Sequence, residues 1–174
     1  MPGTPQPFDE RNYRDALGTY PTGVTVVATS DARGRAIGLT VNSFASVSLD
    51  PPLILWSLAR SSENLAGFLE ATHFSVNVLA ADQRELSERF AQAGGDRFAG
   101  LRFTRGLAQV PLIPRCLAQL ECATEARHDG GDHVIFVGRV LRIAWREGEP
   151  LVYHRGGYRV VVDREPAQSS LEDA

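Results

Sequence analysis

The chain has 174 residues, 43 % of them apolar and 22 % charged, with a net charge of −3, a composition that suits one globular domain with a real core. The mildly acidic balance argues against nucleic acid or an anionic membrane surface as the main partner. All 18 basic residues are arginine, which excludes both a Schiff-base lysine and a P-loop lysine. Cys116 and Cys122 match neither a redox CxxC pair nor a zinc motif and read as small apolar residues of a reduced protein. Met1–Glu10 carries no apolar signal-peptide stretch, and no apolar run is long enough to span a bilayer, so a cytoplasmic location is expected.

In chain order, a folded domain is expected over 8–163, with flexible tails at 1–7 and 164–174. Asp9 can cap a helix running to Gly18, with Phe8 stapled onto its first turn. After the turn Pro21-Thr22-Gly23, the β-branched run Val24–Thr29 reads as a strand, and Ala36–Val41 as its hairpin partner. Ala45–Leu49 and Leu53–Leu58 are two further strands around Asp50-Pro51-Pro52, a corner whose prolines cannot sit in a central ladder. Ser61–Asn64 is expected to open a short helix to Glu70, with a hydroxyl as its cap. His73–Leu79 alternates as a strand. Asp82–Glu85 resembles a capping box and predicts a helix to Ala91, which Gly94-Gly95 then breaks. Leu101–Arg115 reads as loop. Leu117–Arg127 and His133–Trp145 are long strands joined at a glycine turn, and Leu151–His154 and Tyr158–Val162 close the chain. Short, evenly spaced strands with few helices predict a closed antiparallel barrel. The GxGxxG fingerprint is absent, so a nicotinamide would bind outside a Rossmann domain.

Five segments can carry chemistry, and each admits a plainer reading. Thr40–Ser48 interleaves small polar and apolar residues, so its backbone N–H groups can approach the polar edge of a flavin ring and stabilise the reduced anion. It can equally be a sheet corner facing water. Ser61-Ser62-Glu63-Asn64 offers donors for a phosphate, or is a simple helix cap, and Glu63 disfavours an anion. Arg97-Phe98 can hold a phosphate or an adenine, or is a surface arginine beside a core ring. His133, after Gly131-Asp132, can meet a nicotinamide carboxamide or phosphate as a hydrogen-bond donor, or is structural. Tyr158 can flank a bound ring or be a core aromatic. His73, His128 and His154 receive no role, and the four histidines lack metal-ligand spacing. No GxSxG elbow supports a hydrolase.

Taken in order, Tyr20-Pro21-Thr22-Gly23-Val24, Gly38–Phe44, Ser46-Val47-Ser48 with Pro51-Pro52-Leu53, Phe74–Leu79, Arg97-Phe98, Gly131-Asp132-His133, and Pro150–Tyr153 ahead of Gly157-Tyr158 resemble the flavin reductase-like family, the NAD(P)H:flavin oxidoreductases that serve two-component monooxygenases. The resemblance spans Phe8 to Val162. It implies a mainly β fold, an antiparallel Greek-key split β-barrel of the FMN-binding type with a few flanking helices, and a homodimer with flavin near the subunit interface. It implies that Thr40, Val41, Asn42, Ser43, Ala45, Ser46 and Val47 line the flavin ring, and that Ser57, Leu58, Ser61, Ser62 and Asn64 meet the ribityl chain and phosphate. Arg97 and Phe98 would lie at the phosphate or adenine end, with His133 and Tyr158 bordering the nicotinamide. The reaction implied is hydride transfer from NADH (or NADPH) to FMN or FAD, with reduced flavin diffusing to an oxygenase. That chemistry needs no protein nucleophile, in keeping with the lack of a recognisable catalytic dyad. A barrel that binds flavin or haem without turnover is the alternative. A pyridoxamine-phosphate oxidase-like enzyme fits the phrases poorly.

Overall fold

The computed structural model describes residues 7–162, so the expected tails lie, apart from Pro7, outside the described residues. Helix α1 (Glu10–Gly18) starts as its sequence dictates. The Asp9 carboxylate accepts the Asn12 amide at 2.7 Å, and the Phe8 and Tyr13 rings meet 5.5 Å apart across the first turn.

Seven strands form one antiparallel sheet. They are β2 (Thr25–Ser30), β3 (Ala36–Val41), β4 (Ala45–Leu49), β5 (Pro52–Ala59), β6 (His73–Val78), β9 (Ala118–Gly130) and β10 (His133–Trp145), in the spatial order β3-β2-β6-β9-β10-β5-β4. A smaller sheet joins β1 (Thr22–Gly23) to β11 (Val152–His154) and β12 (Gly157–Arg159), and β7 (Thr104–Arg105) pairs with β8 (Pro111–Leu112). Alternation along β2 feeds two cores. Val27 faces a cluster around Trp56, Phe68, Phe74 and Phe136, while Val24, Val26 and Ala28 face one around Leu79, Phe90, Phe98 and Leu151. Trp56 and Phe136 stack at 4.6 Å, and Phe68 and Phe74 meet Trp56 edge-on.

Central strand β6 is covered on both faces, so its polar residues are buried and must find partners. The Ser75 hydroxyl donates to the Pro111 carbonyl at 2.5 Å. The Asn77 amide donates to the Val26 carbonyl at 3.1 Å, and its Oδ1 accepts the Ile113 amide at 2.9 Å.

The barrel is split and not closed, against the expectation from strand spacing. β3 and β4 are the two edges of the large sheet, and no ladder joins them among the described residues. The chain itself crosses this seam as Asn42-Ser43-Phe44. The Ser43 hydroxyl is bonded both ways to the next strand in: it accepts the Ser57 amide at 3.0 Å and donates to the Ser57 carbonyl at 3.3 Å. One side chain thus stands where a partner strand would continue.

Some boundaries differ from the sequence reading. Helix α2 is only Leu65–Glu70, because Ser61–Asn64 forms a turn instead: the Ser62 hydroxyl accepts the Asn64 amide at 3.3 Å and the Ser62 carbonyl accepts that of Leu65 at 3.1 Å. Helix α3 (Arg84–Ala91) follows a 3-10 turn, Ala81–Gln83. Gln83 Oε1 reaches back to the Ala80 amide, while Asp82 pairs with Arg115. The segment read as loop after Leu101 contains the β7–β8 hairpin. No described helix is long and apolar enough to cross a membrane.

Candidate active site

The seam collects the segment singled out for a flavin. Thr40 and Val41 end β3, Asn42 and Ser43 cross the gap, and Ala45, Ser46 and Val47 begin β4. Edge strands turn alternate N–H and C=O groups away from the sheet, so this segment carries main-chain donors that no strand claims. A register shift between Ser46 and Ser48 bulges the strand at Val47, which is half exposed. Val41 differs from its neighbours, since its side chain is buried in the Trp56 cluster.

Beside the seam lies a cleft of about 310 Å³, lined by Leu39, Thr40, Ser61–Asn64, Phe90–Ala93 and Arg97. It brings together Thr40, Ser61, Ser62, Asn64 and Arg97, drawn from three separate stretches of sequence. A larger cavity of about 660 Å³ adjoins it and shares Glu63, Asn64 and Arg97, with Ile37, Gly67 and Phe98 among its further walls. Gly67 permits this packing, because a Cβ there would stand 2.2 Å from the Ile37 methyl. The free edge amides and the two joined cavities provide room and donors for a polar-edged ring bearing a phosphate tail.

Arg97 is the partition between the cavities. Its side chain is only 10 % exposed. Nε donates to the Gln92 carbonyl at 2.8 Å, Nη1 to the Gly38 carbonyl at 3.4 Å, and Nη2 reaches Gln92 and Glu63. Glu63 Oε1 also accepts the Gly94 amide at 2.9 Å, and that bond, followed by the Arg97 guanidinium, holds its carboxyl below the usual range. Phe98 sits in the core, edge-on to Phe90 at 4.9 Å and Phe103 at 5.0 Å. The Leu58 side chain is likewise buried, so only its backbone can meet a ligand. Ser57 stays half-buried and tied to Ser43.

His133 and Tyr158 line neither cavity. His133 opens β10 opposite Ala59 of β5, next to the turn that leads into Ser61; the Arg60 amide donates to the Asp132 carbonyl at 2.8 Å. Its Nδ1 lies 2.7 Å from Asp132 Oδ1, and this contact holds the Asp132 carboxyl below its ordinary value. A carboxylate only accepts, so Nδ1 carries a proton and Nε2 is the ring nitrogen left for a ligand. Tyr158 packs on α3, with its hydroxyl 2.9 Å from Ser87 Oγ and the Arg84 guanidinium 5.0 Å from its ring centroid. Sequence reasoning missed Ser87 and the cleft walls Leu39 and Phe90–Ala93. The Gly94-Gly95 break after α3, where both glycines take positive φ, was the one local sign that the chain there folds back over a site. Among the described residues no cluster of His, Cys, Asp and Glu suits a metal ion.

Comparison with known proteins bears on this geometry. The flavin reductase like domain profile matches residues 17–161. The FMN reductase (NADH) SmoA of Agrobacterium fabrum is 52 % identical over 150 residues, covering 86 % of this chain and 85 % of that protein. A probable flavin reductase of Rhizobium meliloti is 45 % identical over 155 residues; 89 % of this chain is covered, but the chain spans only 50 % of that longer protein. The solved structure of the NADH:FAD oxidoreductase SgcE6 of Streptomyces globisporus superposes with a TM-score of 0.88 at 32 % identity, covering 95 % of this chain and all of that one. The open seam, the joined cavities and these matches together make the chain a member of the flavin reductase-like family.

Proposed function

We propose that this protein reduces FMN or FAD with NADH and releases the reduced flavin to a separate oxygenase. The observation that carries the reading is the split barrel edge at 40–47, whose unclaimed main-chain amides lie beside a cleft supplied with hydroxyls. When bound together, the nicotinamide supplies the hydride and the flavin accepts it. The chain's own residues bind and orient. Outward N–H groups of the seam favour negative charge on the ring edge they face. Ser61, Ser62 and Asn64 offer neutral donors to the phosphate tail. Arg97 acts mainly through the walls it ties together, because its guanidinium is already bonded to Glu63, Gln92 and Gly38. His133, its Nδ1 turned to Asp132, keeps Nε2 for the nicotinamide carboxamide. No side chain need move a proton for the hydride to pass.

The test mixes purified protein with NADH or NADPH and with FMN or FAD, following loss of the reduced-nicotinamide band. No oxidation with any combination overturns the reading. His133→Ala is expected to raise the apparent KM for the nicotinamide, and an unchanged value removes the residue from that pocket.

The same reading includes a homodimer. Beyond Arg139, β10 has no β5 partner on its edge, and Leu141, Ile143 and Trp145 along that stretch are 47 %, 67 % and 72 % exposed. Val47 and Leu49 of edge strand β4 are also bare. Such a surface is suited to a second copy of the chain. Light scattering at the exit of a gel-filtration column decides it, a monomeric mass counting against the dimer. A cytoplasmic location fits the paired demands of NADH and reduced thiols.

A further inference from the structure

The larger cavity offers more room than a flavin mononucleotide needs. A phosphate tail held by Ser61, Ser62 and Asn64 ends at the wall of Glu63, Asn64 and Arg97 that both cavities share. Beyond that wall lie about 660 Å³, enough for a whole small-molecule ligand. Three stretches enclose this space: the β2–β3 turn with the start of β3 (31–38), α2 with the turn before it (63–70), and the loop 95–98. Its apolar walls are Ala36, Ile37, Ala66, Gly67 and Phe98, mostly small residues that leave room for a flat ring. Its polar rim is rich in acceptors, because Glu70 and Asp96 line it together with Glu63, and a carboxylate only accepts. Glu63 Oε1 is spent on Gly94 and Arg97, and Asp96 Oδ1 takes the Phe98 amide at 2.9 Å. One oxygen of each, and both oxygens of Glu70, have no partner among the described residues. Ribose hydroxyls and an exocyclic amine are the donors such oxygens take, whereas a further run of phosphates would meet like charge. Of the cations on the wall, Arg35 pairs with Asp31 at 3.0 Å and Arg97 with Glu63, while Arg33 has no ion pair among the described residues. Its guanidinium suits a second phosphate or the face of a base.

We infer that this cavity seats the adenosine-monophosphate half of FAD, so that the protein takes FAD in preference to FMN. The inference rests on the reductase reading for the flavin ring and its phosphate in the smaller cleft. The adenosine is that of FAD and not of NADH, because the cavity joins the cleft at Asn64 and Arg97, beside the hydroxyls that meet the flavin phosphate, whereas His133 lines neither space.

Titration calorimetry with oxidised FMN and oxidised FAD reads the preference without turnover. FAD should bind about ten- to a hundred-fold tighter than FMN, the gain that one hydrogen bond to a charged group supports. Ala66→Phe sends a ring into the cavity from an exposed position on α2. It should bring the Kd of FAD to within about two-fold of that of FMN, with FMN itself moving less than about two-fold. Arg33→Ala, at an exposed turn, should weaken FAD about three- to ten-fold and leave FMN as it was. Equal Kd values for the two flavins in the wild type, or FMN lost along with FAD in a folded Ala66→Phe protein, overturn the inference and leave the reductase reading standing. So does FAD binding unmoved in both variants. A raised KM for NADH in Ala66→Phe with FAD binding unchanged overturns it as well and gives the cavity to the nicotinamide's own adenosine. A wild type that binds neither flavin and oxidises no NADH overturns the reductase reading, and the inference with it.

Discussion

Replacing Ser43 with alanine tests whether one hydroxyl stands in for a missing strand. Ser57 directs its amide and carbonyl toward the β4 side of β5, beyond the last paired residues, Ala45 and Leu55. Both groups are met by Ser43 Oγ, at 3.0 and 3.3 Å. Alanine keeps the backbone but strips the partner from a donor and an acceptor at once. Each orphaned group costs about 1–3 kcal/mol when fully buried. Ser57 is half-buried, so water recovers part of this, and a net loss of ~1–2 kcal/mol is expected. For a chain of this size that lowers the melting temperature by about 2–8 °C. If the seam must be ordered before flavin binds, the same energy weakens flavin roughly 5- to 30-fold. Differential scanning fluorimetry without flavin and calorimetric titration with FMN measure the two halves separately, with Ser43→Thr as the hydroxyl-retaining control. A Ser43→Ala protein that melts and binds like wild type would mean that the hydroxyl bridges nothing of consequence, and the account of the seam fails.

Three other outcomes are expected. Gly138→Ala puts a methyl 2.4 Å from Phe74 Cζ and 3.2 Å from the Cys122 Cβ, and should cost about 1–3 kcal/mol in a denaturant melt, with Phe74→Leu recovering part of it. Burial pushes the Cys116 thiol up to about 11 and the Cys122 thiol up to about 12, so neither should react with Ellman's reagent in the native protein at mildly alkaline pH, and both should react once it is unfolded. Because those folded-state values lie above 9.0, the buried neutral thiols support folding fully below that pH and cease to as pH climbs through 11 and 12. The Glu63 carboxyl, held down by the Gly94 amide and Arg97, contributes above the ordinary glutamate range and loses its contribution as pH falls through its lowered value; the Gly94 amide resonance should therefore titrate with a midpoint below 4.5, and a midpoint at or above it would contradict the contact.

The strands were legible because their causes are local. β-Branched alternation, the proline corner and the glycine turns put β2, β3, β5 and β10 within a residue or two of where they lie. Closure was not legible, because whether β3 meets β4 depends on the tilt and twist of seven strands, which no short window encodes. The same split runs through the site. Thr40, Ser61, Ser62, Asn64 and Arg97 were named from local chemistry and share one cleft, although they come from distant stretches. What each side chain spends its hydrogen bonds on was invisible. Arg97 looks from sequence like an available cation, yet it is committed to Glu63 and to two carbonyls. Leu58 looks like a candidate wall, yet its side chain is core, and Phe98 is core and cavity wall at once. Ser87 gives no signal at all in a helix of ordinary composition, since the partner of its hydroxyl is a tyrosine 71 residues away.

Asn77 has a consequence for how the whole sheet assembles. Opposite Val26 on one side and Gln119 on the other, it matches both ends of its carboxamide to fixed backbone atoms. Sliding β6 by a single position would swing that carboxamide into the aromatic cluster and bring a hydrocarbon chain to the polar notch, a double error worth several kcal/mol. The strand therefore admits one alignment, and its neighbours on both flanks take theirs from it.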